Sequence, residues 1–498
     1  MLSAVLEPVR AAPHRRRGVA WSWEQVVVGT LAAAVIALFL GPLHRLSLHL
    51  PRDENEGWNA YHAAAALAGG VLYPPPDSFV SNNYPPLSFY IVGGLGKVVG
   101  DNIVAGRIAA LLCQLLVALN IYGLVRWFGG SRFWSSTASL LFLLYVSAET
   151  LDYVAMDDPQ WLGHAFVTSG ALLFLRAQSR ARALSLLLAS SLLCVAGLFV
   201  KHSLIILPLA LFLWAVCYSR RGVAVWTLAS LAWAVVALAA AVHAYGFVMF
   251  HDVFGHQRLM TLNKLLGDAT RLLSPLQPTV LCTVLLGVIG WRDRYVKLIL
   301  VYAALAGAIG LLFLAGAGVD VNVLFDLVIA SSVACGLFGQ RFGALLPVPC
   351  RLRAPAIIAG AFAILIFPSW KQALDQGREL VRQDRTELPQ YRDLLTVIAA
   401  ARGPVACETP SLCYWAGKDF TLDFFNYGMK LRTGVVRNER LKQRLARGDF
   451  AYIQTIGHPA APHAMIRKIL GDELSDYIDQ RYMVTHELEG QFLLAPRH

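Results

Sequence analysis

The sequence predicts an all-α polytopic membrane protein with a small external C-terminal α/β domain. Of the 498 residues, 56% are hydrophobic and only 15% are charged, and the mean hydropathy is +0.53. Soluble domains usually carry about a quarter charged residues. Eleven apolar runs have lengths that suit membrane helices. From about residue 370 onward the chain turns polar, which predicts a separate domain outside the membrane.

Short basic loops alternate with the apolar runs. The runs lie near 25–45, 103–125, 133–149, 160–176, 183–200, 203–219, 223–243, 275–290, 297–315, 322–339 and 355–369. The N-terminal segment 1–24 and every second loop are rich in arginine. The positive-inside rule puts these loops and the N-terminus in the cytoplasm, so eleven spans put the C-terminus outside. The same loops account for the net charge of +11, so no nucleic-acid partner is expected.

Three parts of the chain are expected: the cytoplasmic segment 1–24, a transmembrane domain at 25–369 with a first external loop at 46–102, and an external domain at 370–498. In the last part, PQYRDLLTVIAAA and NERLKQRLARG have helical patterns, whereas PVACE and DFAYIQT are typical of strands. Cys407 and Cys413 stand close together there. Outside the cytoplasm such a pair can form a disulfide, and the alternative is two buried thiols.

An acidic cluster follows the first apolar run directly. Asp53, Glu54 and Glu56 precede WNAYHAAAALAGG, whose pattern suits an amphipathic helix on the membrane surface. Carboxylates held near a bilayer can accept a proton from a hydroxyl or bind a metal ion. The alternative is a hydrated acidic loop.

Further candidates lie at the external ends of later runs. Asp157 and Asp158 precede the fourth run, where an aspartate can simply cap the helix. Lys201 and His202 lie in an external hairpin, where a lysine departs from the orientation rule. It either binds a phosphate group or directs its amine toward the interface. Arg107, near the start of the second run, is another candidate cation.

One acidic residue, Asp326, is expected inside the tenth run. An acidic residue in a membrane span is a functional candidate, and the alternative is a structural hydrogen bond. His62, His251 and His256 could join the carboxylates as metal ligands, although ordinary structural histidines are the alternative.

Together these residues suit a reaction between a membrane-anchored anionic substrate and a second molecule on the same membrane face. For a polyprenyl-phosphate sugar, a cation would hold the phosphate and a carboxylate would take the proton of the acceptor hydroxyl. Two other classes of protein stay open. One is a transporter or flippase for lipid-linked sugars, although the sequence has no visible internal repeat. The other is a non-catalytic subunit that assembles envelope polysaccharides.

The order of motifs resembles the GT-C superfamily of integral-membrane glycosyltransferases. It is most similar to the family 39-like branch of protein O-mannosyltransferases and lipid A aminoarabinose transferases. The similar motifs are the Asp53-Glu54 pair, EGWNAYHAAAALAGGVLY, the YPPL segment that begins at Tyr84, and GRIAALL with Arg107. The resemblance extends over about 25–215 and implies the GT-C fold.

The resemblance also implies a mechanism and a location. The sugar would come from an undecaprenyl-phosphate-linked or similar donor, and the acceptor would be a glycan, lipid or protein at the inner membrane of a bacterium. Asp53 would be the catalytic base of an inverting reaction, helped by Glu54. Relatives work with or without a divalent ion, so the cofactor stays open. The residues expected to bind donor or acceptor are Glu56, Tyr84, Arg107, Asp157, Asp158, Lys201, His202 and Asp326.

Overall fold

A computed structural model describes residues 22–178, 183–255, 258–346, 354–488 and 490–497. Helices dominate the part before residue 400. In these ranges the helices are α1 (Trp23–Arg45), α2 (Glu54–Ala68), α3 (Leu87–Val99), α4 (Asn102–Trp127), α5 (Arg132–Glu149), α6 (Gln160–Ala177), α7 (Ala183–Val200), α8 (Ile206–Tyr218), α9 (Arg220–Tyr245), α10 (Val248–Phe254), α11 (Leu262–Leu273), α12 (Gln277–Gly290), α13 (Arg294–Leu314), α14 (Phe325–Leu345) and α15 (Ala354–Ala400). Short 3-10 turns at Leu151–Tyr153, Ser274–Leu276 and Val321–Leu324 join some of them.

Each of the eleven predicted apolar runs coincides with a helix, and the protein is a multi-pass membrane protein. Among the described residues, seven helical segments are long and apolar enough to cross a membrane. These are Trp23–Arg45, Asn102–Trp127, Ala183–Val200, Arg220–Tyr245, Leu262–Gly290, Arg294–Leu314 and Val321–Leu345. Helices α3 and α8 are apolar but have only 13 residues each. The predicted total of eleven spans stays a prediction.

The loop after α1, which was predicted to be external, contains two helices. Helix α2 begins immediately after Asp53, whose side chain accepts a hydrogen bond from the Asn55 backbone N–H at 2.8 Å. It ends at Gly69, which adopts a left-handed conformation with φ of 72°. The helix predicted in WNAYHAAAALAGG is therefore confirmed. Trp58 on α2 packs edge-on against Phe89 of α3, with ring centroids 5.9 Å apart.

The C-terminal region folds around a four-stranded sheet of order β1-β2-β4-β3. Its strands are β1 (Val405–Cys407), β2 (Tyr452–Ile456), β3 (Tyr482–Leu488) and β4 (Gln491–Pro496), and its helices are α16 (Pro410–Trp415), α17 (Phe424–Arg432), α18 (Asn438–Ala446), α19 (Met465–Leu470) and α20 (Asp472–Arg481). Strand β1 runs parallel to β2, whereas β4 pairs antiparallel with both β2 and β3. The strands predicted in PVACE and DFAYIQT and the helix in NERLKQRLARG are confirmed.

Helix α15 joins the two parts of the chain. It runs without interruption for 47 residues, a length of about 70 Å at 1.5 Å per residue. The boundary predicted at residue 370 lies inside it. Asp384 of α15 is 1% exposed and pairs with Arg45 at the end of α1, with 2.9 Å between Nε and Oδ2. This contact anchors the connection to the C-terminal domain next to the segment that leads to Asp53.

Candidate active site

A cavity of about 630 Å³ lies between the membrane helices and the C-terminal domain. Its volume is in the usual range for a small-molecule site. Six of the residues predicted from the sequence line it: Asp53, Glu54, Tyr84, Asp158, Lys201 and His202. Other polar residues on its wall are Asn55, Asn83, Tyr153, Ser203, Arg258, Asp320, Asn322, Glu408, Asp423 and Asn426.

The acidic side of the cavity begins at the N-terminus of α2. Burial raises the pKa of Asp53 to about 6, opposed by the Asn55 backbone N–H and assisted by the carboxylates of Glu56 and Asp158. Burial and the adjacent Asp53 raise the pKa of Glu54 to about 7. Carboxylates with pKa values this close to neutrality are efficient general bases near pH 7.

A buried ion pair holds the segment that carries Asp53. Glu56 and Arg107 are both fully buried, with 2.7 Å from Nε to Oε1 and 2.6 Å from Nη2 to Oε2. The Arg107 guanidinium also donates to the backbone carbonyls of Arg45, Leu48 and Leu50, at 2.8 to 2.9 Å. Neither side chain lines the cavity, so the placement does not support the predicted contact with substrate. Because they bind each other and the α1–α2 link, both residues position Asp53.

The basic side of the cavity is formed after α7. Lys201 is 8% exposed, and its Nζ lies 3.8 Å from Asp158 Oδ1 and 4.9 Å from the centre of the Tyr84 ring. Burial lowers the pKa of Lys201, but Asp158 and Tyr84 outweigh it, so the net pKa is raised. The amine is therefore protonated at neutral pH and stands at the cavity wall.

Two further basic residues flank Lys201. Arg258 lines the cavity and donates from Nη1 to the Ala317 carbonyl at 3.3 Å. Burial, Lys201 and Arg258 lower the pKa of His202 to about 4, so its imidazole is neutral at pH 7. The side chain of His202 packs against Phe254, with ring centroids 5.6 Å apart.

The two aspartates before α6 have different roles. Asp158 Oδ1 accepts from the Gln160 backbone N–H at 2.7 Å, which is the expected helix-start contact, and it also faces Lys201. Asp157 is 2% exposed and does not line the cavity. It packs against Gly106, where an added Cβ would lie 1.9 Å from Asp157 Oδ1. Burial, Glu56 and Asp158 raise the pKa of Asp157 well above its usual value. Because Asp157 lies away from the cavity, its placement does not support the predicted contact with substrate.

The loop that carries these aspartates has an unusual backbone. Ala155 has φ of 55°, a left-handed conformation that costs a non-glycine residue about 1–2 kcal/mol. Arg52 stabilises it, because Nη1 donates to the carbonyls of Val154 and Ala155 at 2.7 Å each. Arg52 immediately precedes Asp53, so the two acidic segments are tied together.

The C-terminal domain supplies a wall that sequence reasoning missed. Glu408 follows β1 and lies in the loop closed by the Cys407–Cys413 disulfide. Burial raises its pKa to about 8, opposed by the Ile456 N–H and assisted by Glu54. Asp423 is buried and accepts from Trp58 Nε1 of α2 at 3.0 Å. No local signal could have found these residues, because that contact joins positions 365 residues apart.

The disulfide loop packs directly on α2. Gly57 makes this possible, since an added Cβ there would lie 2.0 Å from the Ser411 backbone N. The close approach brings Glu408 next to the carboxylates at the start of α2. Of the two alternatives for Cys407 and Cys413, the structure has the disulfide.

The remaining candidates have structural contacts. Asp326 is buried away from the cavity and accepts from the Tyr302 hydroxyl at 2.6 Å, which favours the structural alternative over the predicted substrate contact. His62 Nδ1 lies 2.8 Å from the Trp58 carbonyl oxygen. His256 lies outside the described residues. Within the described part of the chain, no three His, Cys, Asp or Glu side chains are arranged to hold a metal ion.

A family model and two solved structures show which proteins this chain is similar to. The family model described as dolichyl-phosphate-mannose-protein mannosyltransferase matches residues 83–245, about a third of the chain, which includes Tyr84, Asp158 and Lys201. Comparison with curated protein sequences gives no match.

Solved structures extend the similarity to nearly the whole chain. ArnT from Cupriavidus metallidurans, bound to undecaprenyl phosphate, has a TM-score of 0.60 at 11% identity, over 94% of this chain and 98% of that one. The Archaeoglobus fulgidus oligosaccharyltransferase, tethered to an acceptor peptide, has a TM-score of 0.58 at 13% identity, over 96% of this chain and 74% of that one. The predicted resemblance to the GT-C superfamily is confirmed, and the chain has the GT-C fold.

Proposed function

We propose that the protein transfers a sugar from a polyprenyl-phosphate-linked donor to a hydroxyl of an envelope glycolipid, polysaccharide or protein. The observation that carries this proposal is the shared cavity, which has Asp53 and Glu54 on its wall together with Lys201 and Arg258. A base and a cation in one cavity are what such a transfer requires. The ArnT relative binds undecaprenyl phosphate, which supports a lipid phosphate as part of the donor.

The reaction is a single displacement at the anomeric carbon. Asp53 takes the proton of the acceptor hydroxyl, and the neighbouring Glu54 carboxyl group assists it electrostatically. The acceptor oxygen forms a bond to the anomeric carbon as the bond from that carbon to the phosphate oxygen breaks. The polyprenyl phosphate leaves as an anion, whose charge Lys201 and Arg258 stabilise. One displacement inverts the anomeric configuration.

The arginine pattern of the loops supports a reaction on the external face, with the N-terminus in the cytoplasm and the C-terminal domain in the periplasm or outside the cell. The cavity residues Asp53, Asp158 and Lys201 all follow or precede apolar runs at ends that this rule assigns to the external side.

A complementation experiment tests the function. A deletion strain receives the wild-type chain, Asp53→Asn or the control Asp152→Asn at equal protein level, and envelope glycans and polyprenyl lipids are profiled by mass spectrometry. Asp152 is an exposed external aspartate outside the cavity. We expect wild type and the control to restore one sugar on one glycan. With Asp53→Asn that sugar should be missing and the lipid-linked sugar should accumulate. A wild-type profile from Asp53→Asn contradicts the role of Asp53 and favours an assembly or transport function.

A further inference from the structure

Among the described residues that line the cavity, two of the C-terminal domain each have a buried oxygen atom without a hydrogen-bond partner. These atoms are Oε1 of Glu408 and Oδ1 of Asn426, and the two residues are 2% and 5% exposed. A buried polar atom without a hydrogen bond costs about 1–3 kcal/mol. Such atoms are uncommon in folded proteins, and on a cavity wall they are suited to a ligand.

Both atoms are held in place by the other end of the same side chain. Glu408 Oε2 accepts from the Ile456 backbone N–H at 2.6 Å, which fixes the carboxyl plane. Asn426 Nδ2 donates to Asp423 Oδ2 at 2.7 Å. A carboxylate can only accept, so the Asn426 amide has its NH2 on Asp423 and its oxygen free.

The charged groups near Glu408 and near Lys201 indicate which part of a ligand each can bind. Glu408 has the Glu54 carboxyl as its electrostatic neighbour, and Glu54 is also close to Asp423. An anionic group is disfavoured there, because it would be repelled by whichever of these three carboxyl groups is ionised, and none of the three is a cation. Lys201, by contrast, has Asp158, Tyr84 and Arg258 as its neighbours. The phosphate therefore belongs at the Lys201 end, and a neutral hydrogen-bonding group belongs at the Glu408 end.

We propose that Glu408 and Asn426 form a hydroxyl-binding subsite for carbohydrate, through which the C-terminal domain selects the sugar that reacts. This inference rests on the proposed function. Sugar hydroxyls donate to both free oxygens, and a protonated Glu408 can also donate to a hydroxyl. The hydroxyls belong either to the donor sugar or to an acceptor glycan, since the same chemistry serves both.

The first test uses the full-length chain in the deletion strain. Glu408→Met removes the hydrogen-bonding group, Glu408→Gln keeps a polar group without charge, and Glu439→Met is an exposed control in the same domain. We expect Glu408→Met to reduce sugar transfer about tenfold, which corresponds to ~1.4 kcal/mol. Glu408→Gln should keep more than a third of the wild-type transfer, and the control should equal wild type.

A binding measurement separates this subsite from general damage. Purified variants in lipid nanodiscs are titrated with undecaprenyl phosphate, which carries no sugar. We expect wild-type affinity from Glu408→Met, because the phosphate end is intact. If Glu408→Met does not fold, Glu408→Asp takes its place: its shorter carboxyl should keep the fold and lose transfer. Wild-type transfer by whichever of these two variants folds overturns the subsite.

Lipids that copurify with Asp53→Asn identify the source of the hydroxyls. If Glu408 binds the donor sugar, the Asp53→Asn/Glu408→Met protein retains about tenfold less lipid-linked sugar than Asp53→Asn alone. If both proteins retain the same amount of lipid-linked sugar while Glu408→Met alone has reduced transfer, the subsite binds the acceptor glycan. If Asp53→Asn abolishes transfer while the Glu408 variants do not reduce it, the proposed function stands and this inference fails. If Asp53→Asn transfers normally, the proposed function itself fails.

Discussion

Replacement of Arg107 by methionine should lower the free energy of unfolding by about 3–5 kcal/mol. The fully buried guanidinium makes two hydrogen bonds of 2.6 and 2.7 Å to the buried Glu56. Removal of one partner from a buried ion pair leaves an uncompensated charge and costs about 3–5 kcal/mol of stability. Four backbone carbonyls between the end of α1 and Leu50 also lose a donor, which moves the expected value toward the upper end of the range.

Thermal and denaturant unfolding of the purified protein in detergent measure the effect. Arg126→Met is the matched control, because Arg126 lies on the same helix α4 and is exposed. It should change stability by no more than about 0.5 kcal/mol. The double variant Arg107→Met/Glu56→Met removes both charges, so it should be more stable than the sum of the single changes predicts. Strictly additive single changes, or an Arg107→Met protein as stable as wild type, would refute the proposed positioning role.

Three further predictions concern the proposed catalytic base, phosphate binding and the C-terminal domain. The rate of sugar transfer in membranes should rise as pH increases through about 6, because Asp53 must lose its proton to act as the base and its pKa is raised to about 6; a rate that falls over this interval contradicts that role. Lys201→Met should weaken undecaprenyl phosphate binding about tenfold or more through loss of a charged contact, whereas the exposed Lys97→Met should bind normally; equal affinities would remove Lys201 from the phosphate site. Replacement of Cys407 and Cys413 by alanine should lower the stability of the C-terminal domain by about 2 kcal/mol, because the disulfide closes a short loop in the unfolded chain; an unchanged melting temperature in differential scanning fluorimetry would count against this.

Local sequence patterns were sufficient to predict the helices and the start of α2, because hydrogen bonds between residues close in sequence determine both. The apolar runs became helices because membrane helices satisfy their own backbone hydrogen bonds, and Asp53 begins α2 because its side chain caps that helix. The clustering of Asp53, Asp158 and Lys201 at one cavity could be predicted because all three lie at the same predicted face of the membrane.

The sequence could not distinguish a cation that lines the cavity from one that is held inside the protein. Arg107 and Lys201 both stand at ends of apolar runs, yet Arg107 is saturated by Glu56 and backbone carbonyls, while Lys201 has its carboxylate partner at 3.8 Å. The contribution of Glu408 and Asp423 was equally hidden, because it depends on how a domain more than three hundred residues away docks on α2.

The hydrogen bond from Trp58 to Asp423 has a consequence for biosynthesis. Helix α2 leaves the ribosome early, but the wall opposite it depends on β1, which pairs with β2, which in turn pairs with β4 around residue 494. The cavity thus cannot close until that strand has been synthesised and delivered to the same side of the membrane as α2. Until then, the nascent chain holds an incomplete pocket, and a truncated chain that lacks β4 should insert into the membrane without gaining activity.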